Sequence, residues 1–186
     1  MCWRNLVLTI TTCVAFSDAS RASDLCADIR SVPSSKDLMR SAISHNLVTE
    51  AQNGVAQGIW KSKATISNFK NDCKIVSVAG SGSESHYGLV CYSKSPASWS
   101  NTIDLYKSVE TKLQSCFPEP GFVHIATPGK YSAERGPGPG DPQATPSHEV
   151  MDLSGGLTIS LSPEFYSAAS GEAKANGWRL SLTVGN

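Results

Sequence analysis

The stretch "CKIVSVAGSGSESHYGLVCY", residues 73–92, constrains the fold more than any other part of the chain. Two runs rich in Ile, Val, Leu and Tyr flank a Gly/Ser tract, the pattern of two strands joined by a turn. If Cys73 stands opposite Cys91 in an antiparallel pair, facing position numbers sum to 164. Ile75 then faces Leu89, Ser77 faces Tyr87, and the turn centres on Gly82. Directly opposed Cα atoms lie ~4.5–5.5 Å apart, inside the span that a disulfide accepts. A slip of one residue parts the thiols and turns one strand's apolar side chains to the wrong face. One register satisfies thiols, turn and core together, and it predicts a Cys73–Cys91 bond.

Disulfides persist in oxidising compartments, and the start of the chain supplies a route to one. In "MCWRNLVLTITTCVAFSDAS" a single charge, Arg4, precedes an uncharged and mostly apolar run at 6–16, followed by small residues. A membrane span needs ~20 apolar residues, so this shorter run reads as a secretory signal peptide over 1–20. Cleavage after Ser17, Ala19 or Ala22 starts the mature chain between Asp18 and Ser23, and the sequence does not choose among the three. Lipidation at Cys13 is a rival reading, but Ile10-Thr11-Thr12 fits a lipobox poorly. No later stretch is long and apolar enough to span a bilayer. The expectation is an exported protein, periplasmic or secreted, with no membrane span.

Cys2 and Cys13 leave with the signal, so four of the six cysteines remain: Cys26, Cys73, Cys91 and Cys116. An even number in an exported chain predicts two disulfides. With Cys73 and Cys91 joined, elimination pairs Cys26 with Cys116. The alternative, Cys91 with Cys116 and Cys26 with Cys73, stays open on spacing alone. No C-x-x-C pair is present, which disfavours a zinc site.

Residues 21–186 suit one domain by length. Ser34-Ser35 cap a helix in which Leu38, Met39, Ala42 and Ile43 recur at helical spacing, continuing weakly through Leu47 and Ala51. Residues 55–69 read as one or two strands, and at most one of the neighbours Ile59 and Trp60 faces the core. Ser95-Pro96 start a second helix, with Trp99, Ile103, Tyr106, Val109, Leu113 and Cys116 along one stripe. Phe122 to Ala126 reads as a strand, followed by a Pro/Gly-rich loop at 127–147. "GLTISLS" and "GWRLSLTV" alternate apolar and polar positions as half-buried antiparallel strands, with a short helical turn expected between them. The predicted fold is therefore α+β: an antiparallel sheet of five to seven strands, two amphipathic helices packed on one face, and two disulfides. No internal repeat is visible.

Composition excludes some functions. Sixteen basic and sixteen acidic residues give a formal net charge of +0. A nucleic-acid partner demands a basic face, so none is expected. The candidates for chemistry are thin. G-x-S-x-G is absent, and "AGSGSES" is explained as a turn. "HEVMD" at 148–152 resembles a zincin helix, but Pro146 and Gly155-Gly156 leave it too little room, and the end of a loop entering a strand fits better. "GPGPG" at 136–140 cannot cradle phosphate, since each proline lacks an N–H. Trp60, Trp99 and Trp178 invite a carbohydrate platform, but Trp99 and Trp178 fall on apolar faces. No catalytic, cofactor or metal residue is assigned, and no cofactor is expected. Tyr131, Glu134 and Arg135 in the long loop are candidate interaction residues. The expected function is an exported, non-enzymatic module that binds a protein or cell-envelope partner, such as a periplasmic inhibitor or immunity-type protein. The alternative is a small secreted hydrolase using one of His45, His86, His124 or His148 with a Ser or carboxylate. Oligomeric state is not legible.

Overall fold

In the computed structural model of the protein, the described residues are 19–32, 43–49, 56–69, 72–79, 85–94, 97–131, 136–137, 145–166 and 176–185. Helix α1 (Ala19–Ser31) is followed by strands β1 (Ile43–Thr49), β2 (Ala56–Ser62), β3 (Cys73–Ala79) and β4 (Ser85–Tyr92). Helix α2 (Trp99–Cys116) then leads into β5 (Phe122–Thr127), β6 (Ser147–Asp152), β7 (Thr158–Tyr166) and β8 (Gly177–Gly185). All eight strands form one sheet in the order β1-β2-β3-β4-β8-β7-β6-β5, antiparallel throughout. Beyond the strands expected, the sheet gains β1 and β6, while residues 56–69 supply a single strand, β2. A helix followed by a four-strand meander thus occurs twice, and the strand order reads alike from either end.

The hairpin of β3 and β4 has the predicted register: Cys73 faces Cys91, Ile75 faces Leu89 and Ser77 faces Tyr87. From there the apolar parity propagates across the sheet. Leu89 faces Val184 and Cys91 faces Leu182. Val184 faces Ile159 and Leu182 faces Leu161, and Ile159 faces Val150. Because facing residues of antiparallel strands point to the same side, these side chains line one face, and all are buried. The α2 stripe of Trp99, Ile103, Tyr106, Val109, Leu113 and Cys116 is buried in the same core cluster. Helix α2 packs on β7, β8 and α1.

Several expectations need correction. The first helix does not continue through Ile43 and Leu47, which lie in β1 opposite Ser62 and Trp60. Their spacing of four is a multiple of both two and nearly 3.6, so it does not discriminate, and pairing with β2 decides. Residues 33–42 lie outside the described residues. A helix that the sequence did not signal is α1, whose Leu25, Ile29 and Val32 recur at steps of four and three and are buried. The second helix begins at Trp99, not at Pro96. Ala97 exchanges two backbone hydrogen bonds with Trp178, at 3.0 and 2.9 Å, which holds it extended. Ser98 is therefore the cap, its Oγ accepting from Asn101 N at 3.2 Å. Residues 167–175, where a short helical turn could lie, are outside the described residues, and the connection expected from Pro163 starts later, since β7 continues through Tyr166. Pro163 is tolerated there because its facing residue, Leu180, directs its N–H and C=O to Ser93 rather than to β7. The β6 ladder has also ended by that point.

Both predicted disulfides are present. Cys73–Cys91 spans 18 residues and Cys26–Cys116 spans 90. The second ties α1 to the last turn of α2, where Arg30 Nη2 also donates to the Cys116 carbonyl at 2.7 Å. That carbonyl is one of the helix-end acceptors with no intrahelical partner, and a cation there complements the helix dipole. Asp28 anchors the other side of α1 by accepting from Ser67 N and Ser67 Oγ, both at 2.6 Å. Ser67 sits between the buried Ile66 and Phe69. In the chain-entropy model the 90-residue loop closure is worth about 4–5 kcal/mol and the 18-residue one about 3 kcal/mol. Replacing Cys26 and Cys116 together with Ser is expected to lower the urea-denaturation free energy by more than replacing Cys73 and Cys91. The reverse order would show that native-state packing, rather than loop closure, sets the effect.

Candidate functional site

Of the four candidate histidines, the structure brings two together. His45 falls in β1 and His86 in β4, where it is exposed. His124 faces Val150 and His148 faces Ala126, so they are diagonal neighbours on the helix-facing side of β5 and β6. His124 Nδ1 lies 3.0 Å from His148 Nε2. His124 Nε2 meets the Phe117 carbonyl at 2.6 Å, and His148 Nδ1 meets Glu110 Oε1 at 3.1 Å. Tyr106 OH donates to the same Glu110 oxygen at 3.1 Å.

The donor inventory orders this chain. A carbonyl only accepts, so Nε2 of His124 carries the proton and its Nδ1 receives one from His148 Nε2. The contact between His148 Nδ1 and Glu110 then closes only with a proton between them, held by the imidazole or by the carboxyl. Tyr106 is pushed above its ordinary range, first by burial and then by the Glu110 charge and the bond it donates there. All four ring nitrogens are therefore engaged. His148 is 1% exposed, a position that suits a structural bridge between α2 and the β5–β6 edge better than attack on a substrate.

The zincin-like "HEVMD" is not a helix but lies wholly within strand β6, where the sequence suggested the end of a loop entering a strand. Four residues along a strand put His148 and Asp152 ~13 Å apart, too far to share a metal. Asp152 is instead held below its ordinary range by the Ser154 N–H, which donates at 2.8 Å. Among the described residues no group of three His, Cys, Asp or Glu is arranged for a metal ion.

Three tryptophans do not make a platform. Trp99 and Trp178 meet edge to face at 4.6 Å in the core, while Trp60 stacks on Tyr87 at 6.1 Å. Trp99 instead anchors the Pro/Gly-rich loop. Tyr131 meets it edge-on at 4.8 Å. Gly136, at φ +70°, approaches so closely that a Cβ would sit 2.6 Å from Trp99 Cδ2. Both constraints demand glycine there. Tyr131 is thus at the foot of the loop, and Glu134 and Arg135 lie outside the described residues.

No protein-family model, curated protein or solved structure matches the chain.

Sequence reasoning missed a second cluster, on the face opposite the core. The Arg179 guanidinium lies 3.6 Å from the Tyr92 ring centroid and 4.5 Å from that of Tyr166, and donates to Glu164 Oε2 from Nε at 3.3 Å and from Nη2 at 3.2 Å. Glu164 faces Arg179 across β7 and β8. That pair was legible only by extending the β7–β8 register beyond Pro163. Glu110 was missed because it lies beside the apolar stripe of α2 and answers a histidine 38 positions away.

Removing the central ring tests the buried chain. His148→Ala removes one partner each from Glu110 and His124, leaving them only Tyr106 OH and the Phe117 carbonyl, and is expected to cost about 2–4 kcal/mol in urea denaturation. Glu110→Gln preserves an acceptor for Tyr106 and is expected to cost less than about 1 kcal/mol. Equal midpoints for His148→Ala and the parent would refute the bridging role.

Proposed function

We propose that this chain is an exported module that binds a protein or cell-envelope partner without turning it over, in the manner of periplasmic inhibitors and immunity-type proteins. In this reading residues 1–20 are a signal peptide, and the product is periplasmic or secreted. Two disulfides are compatible with export. Among the described residues no helix is long and apolar enough to cross a membrane. Both helices lie over one face of the sheet, and the long β5–β6 connection supplies the adhesive surface.

The observation that carries the reading is the seat of that connection on Trp99. Tyr131 and Gly136, which flank the candidate residues, both pack against one buried indole. Fixing the ends of a loop before binding lessens the entropy lost on association. The hydrolase alternative draws on the His148–Glu110 contact, but a base whose second nitrogen is bound to His124 has none left for a nucleophile.

Affinity capture with the mature protein as bait, from a periplasmic or extracellular extract, tests the proposal. A retained partner is expected, with Glu134→Ala/Arg135→Ala lowering its affinity about tenfold or more. A turnover activity with no retained partner would overturn it. Alanine at each of His45, His86, His124 and His148 would then locate the base.

A further inference from the structure

The buried chain of polar side chains that begins at Tyr106 fixes how many protons it can hold. Nε2 of His124 must carry one to reach the Phe117 carbonyl at 2.6 Å. The junction between His124 Nδ1 and His148 Nε2, 3.0 Å apart, holds one, whichever ring owns it. The contact of His148 Nδ1 with Glu110 Oε1 holds a third, on either partner. Three protons shared by two imidazoles and one carboxylate leave the group without net charge, which suits a ring that is 1% exposed. A fourth proton on an imidazole sets two N–H donors face to face between the rings. Loss of one leaves two bare acceptors facing each other, at that junction or at Glu110. Either change breaks a contact.

The surrounding groups leave this count intact. From α2 come Glu110 and Tyr106, and Tyr106, pushed above its ordinary range first by burial and then by Glu110, keeps its proton. Tyr131, past the end of β5, acts electrostatically on Tyr106. Arg30 of α1 lies over the Phe117 ring, 5.5 Å from its centroid, and stays charged. β7 places Leu161 opposite His148, while Glu149 of β6 is on the other face, opposite Ser160. Among these groups only the imidazoles ordinarily change charge between about pH 5 and 8. We propose that the chain of His124, His148 and Glu110 is a pH-sensitive fastening, closed near the middle of the histidine range and opened by acid or by alkali. It ties the edge strand β5 and its neighbour β6 to α2. β5 runs on to Tyr131, one of the two contacts that seat the long connection on Trp99. The fastening is a property of the fold and holds whatever that connection binds.

Unfolded, the two histidines and Glu110 hold about two protons above the histidine range and about four below it, against three in the closed chain. On the alkaline side the folded protein holds the extra proton, so stability falls as pH rises. On the acid side the unfolded chain holds it, so stability falls as pH falls. Urea denaturation of the mature, oxidised protein is expected to show maximal stability near about pH 6.5, with the unfolding constant about tenfold larger at about pH 5 and about pH 8. His124→Gln offers His148 an acceptor and the Phe117 carbonyl a donor without titrating, and is expected to lose the acid limb alone. Glu110→Gln can donate to His148 Nδ1 and accept from Tyr106, and is expected to lose the alkaline limb alone. His45→Asn/His86→Asn is expected to keep both limbs. Nitrogen-15 spectra of the parent's rings at the maximum are expected to show His124 protonated at Nε2 and His148 at Nδ1. A flat or one-sided parent curve, either Gln variant keeping both limbs, a control that loses one, or His124 bare at Nε2 would overturn the proposal.

Discussion

Strand β8 is the last segment of the chain, yet it lies between β4 and β7, so the sheet is continuous only when Leu89 pairs with Val184 and Cys91 with Leu182. Those contacts join residues far apart in sequence, and their loop-closure entropy must be overcome before the core can form. The same strand carries Trp178, Leu180, Leu182 and Val184, all buried, into the centre of the core. Its flanks are reinforced by the exchange of hydrogen bonds between Ala97 and Trp178 and between Ser93 and Leu180. Loss of β8 would therefore expose the inner edges of β4 and β7 at once, leaving a four-strand meander and a three-strand one, each with part of the core.

The Cys26–Cys116 bond joins the corresponding helices of those two halves. It complements the β4–β8 ladder, since one joins the halves through the sheet and the other through α1 and α2. The arrangement is a topological repeat, a helix and a meander used twice. No repeat shows in the residues because the two halves share only strand parity and helix stripe. An apolar side chain of any kind satisfies either, so the same architecture needs no common motif.

Polar groups are used with similar economy. On the core side, Tyr106, Glu110, His148 and His124 satisfy one another in a chain ending at the Phe117 carbonyl. A buried network of this kind stabilises only when every member is partnered. On the other side, Arg179 lies against Tyr92 and Tyr166 while bonding Glu164, covering apolar ring faces with a weakly hydrated cation. Two of the four histidines that sequence reading held in reserve for chemistry, His124 and His148, link the β5–β6 edge to α2 and the Phe117 carbonyl.

What the sequence determined by itself was local and periodic. The symmetric placement of Cys73 and Cys91 about Gly82 specified a register, because a one-residue slip changes faces. The α2 stripe specified a helix, because six apolar positions at steps of three and four leave no strand alternative. The Cys26–Cys116 bond followed by elimination once the hairpin bond was granted. Tertiary structure decided the rest. Ile43 and Leu47 fit either period, and only β2 beside them made a strand. Pro96 signals a helix start, but the bridge from Ala97 to Trp178 postponed it to Trp99. Pro163 signals a strand end, yet its missing N–H falls where no ladder bond was due. His124, His148 and Glu110 lie on three separate elements, and no pattern along the chain encodes a meeting that exists only when α2 lies across β5 and β6.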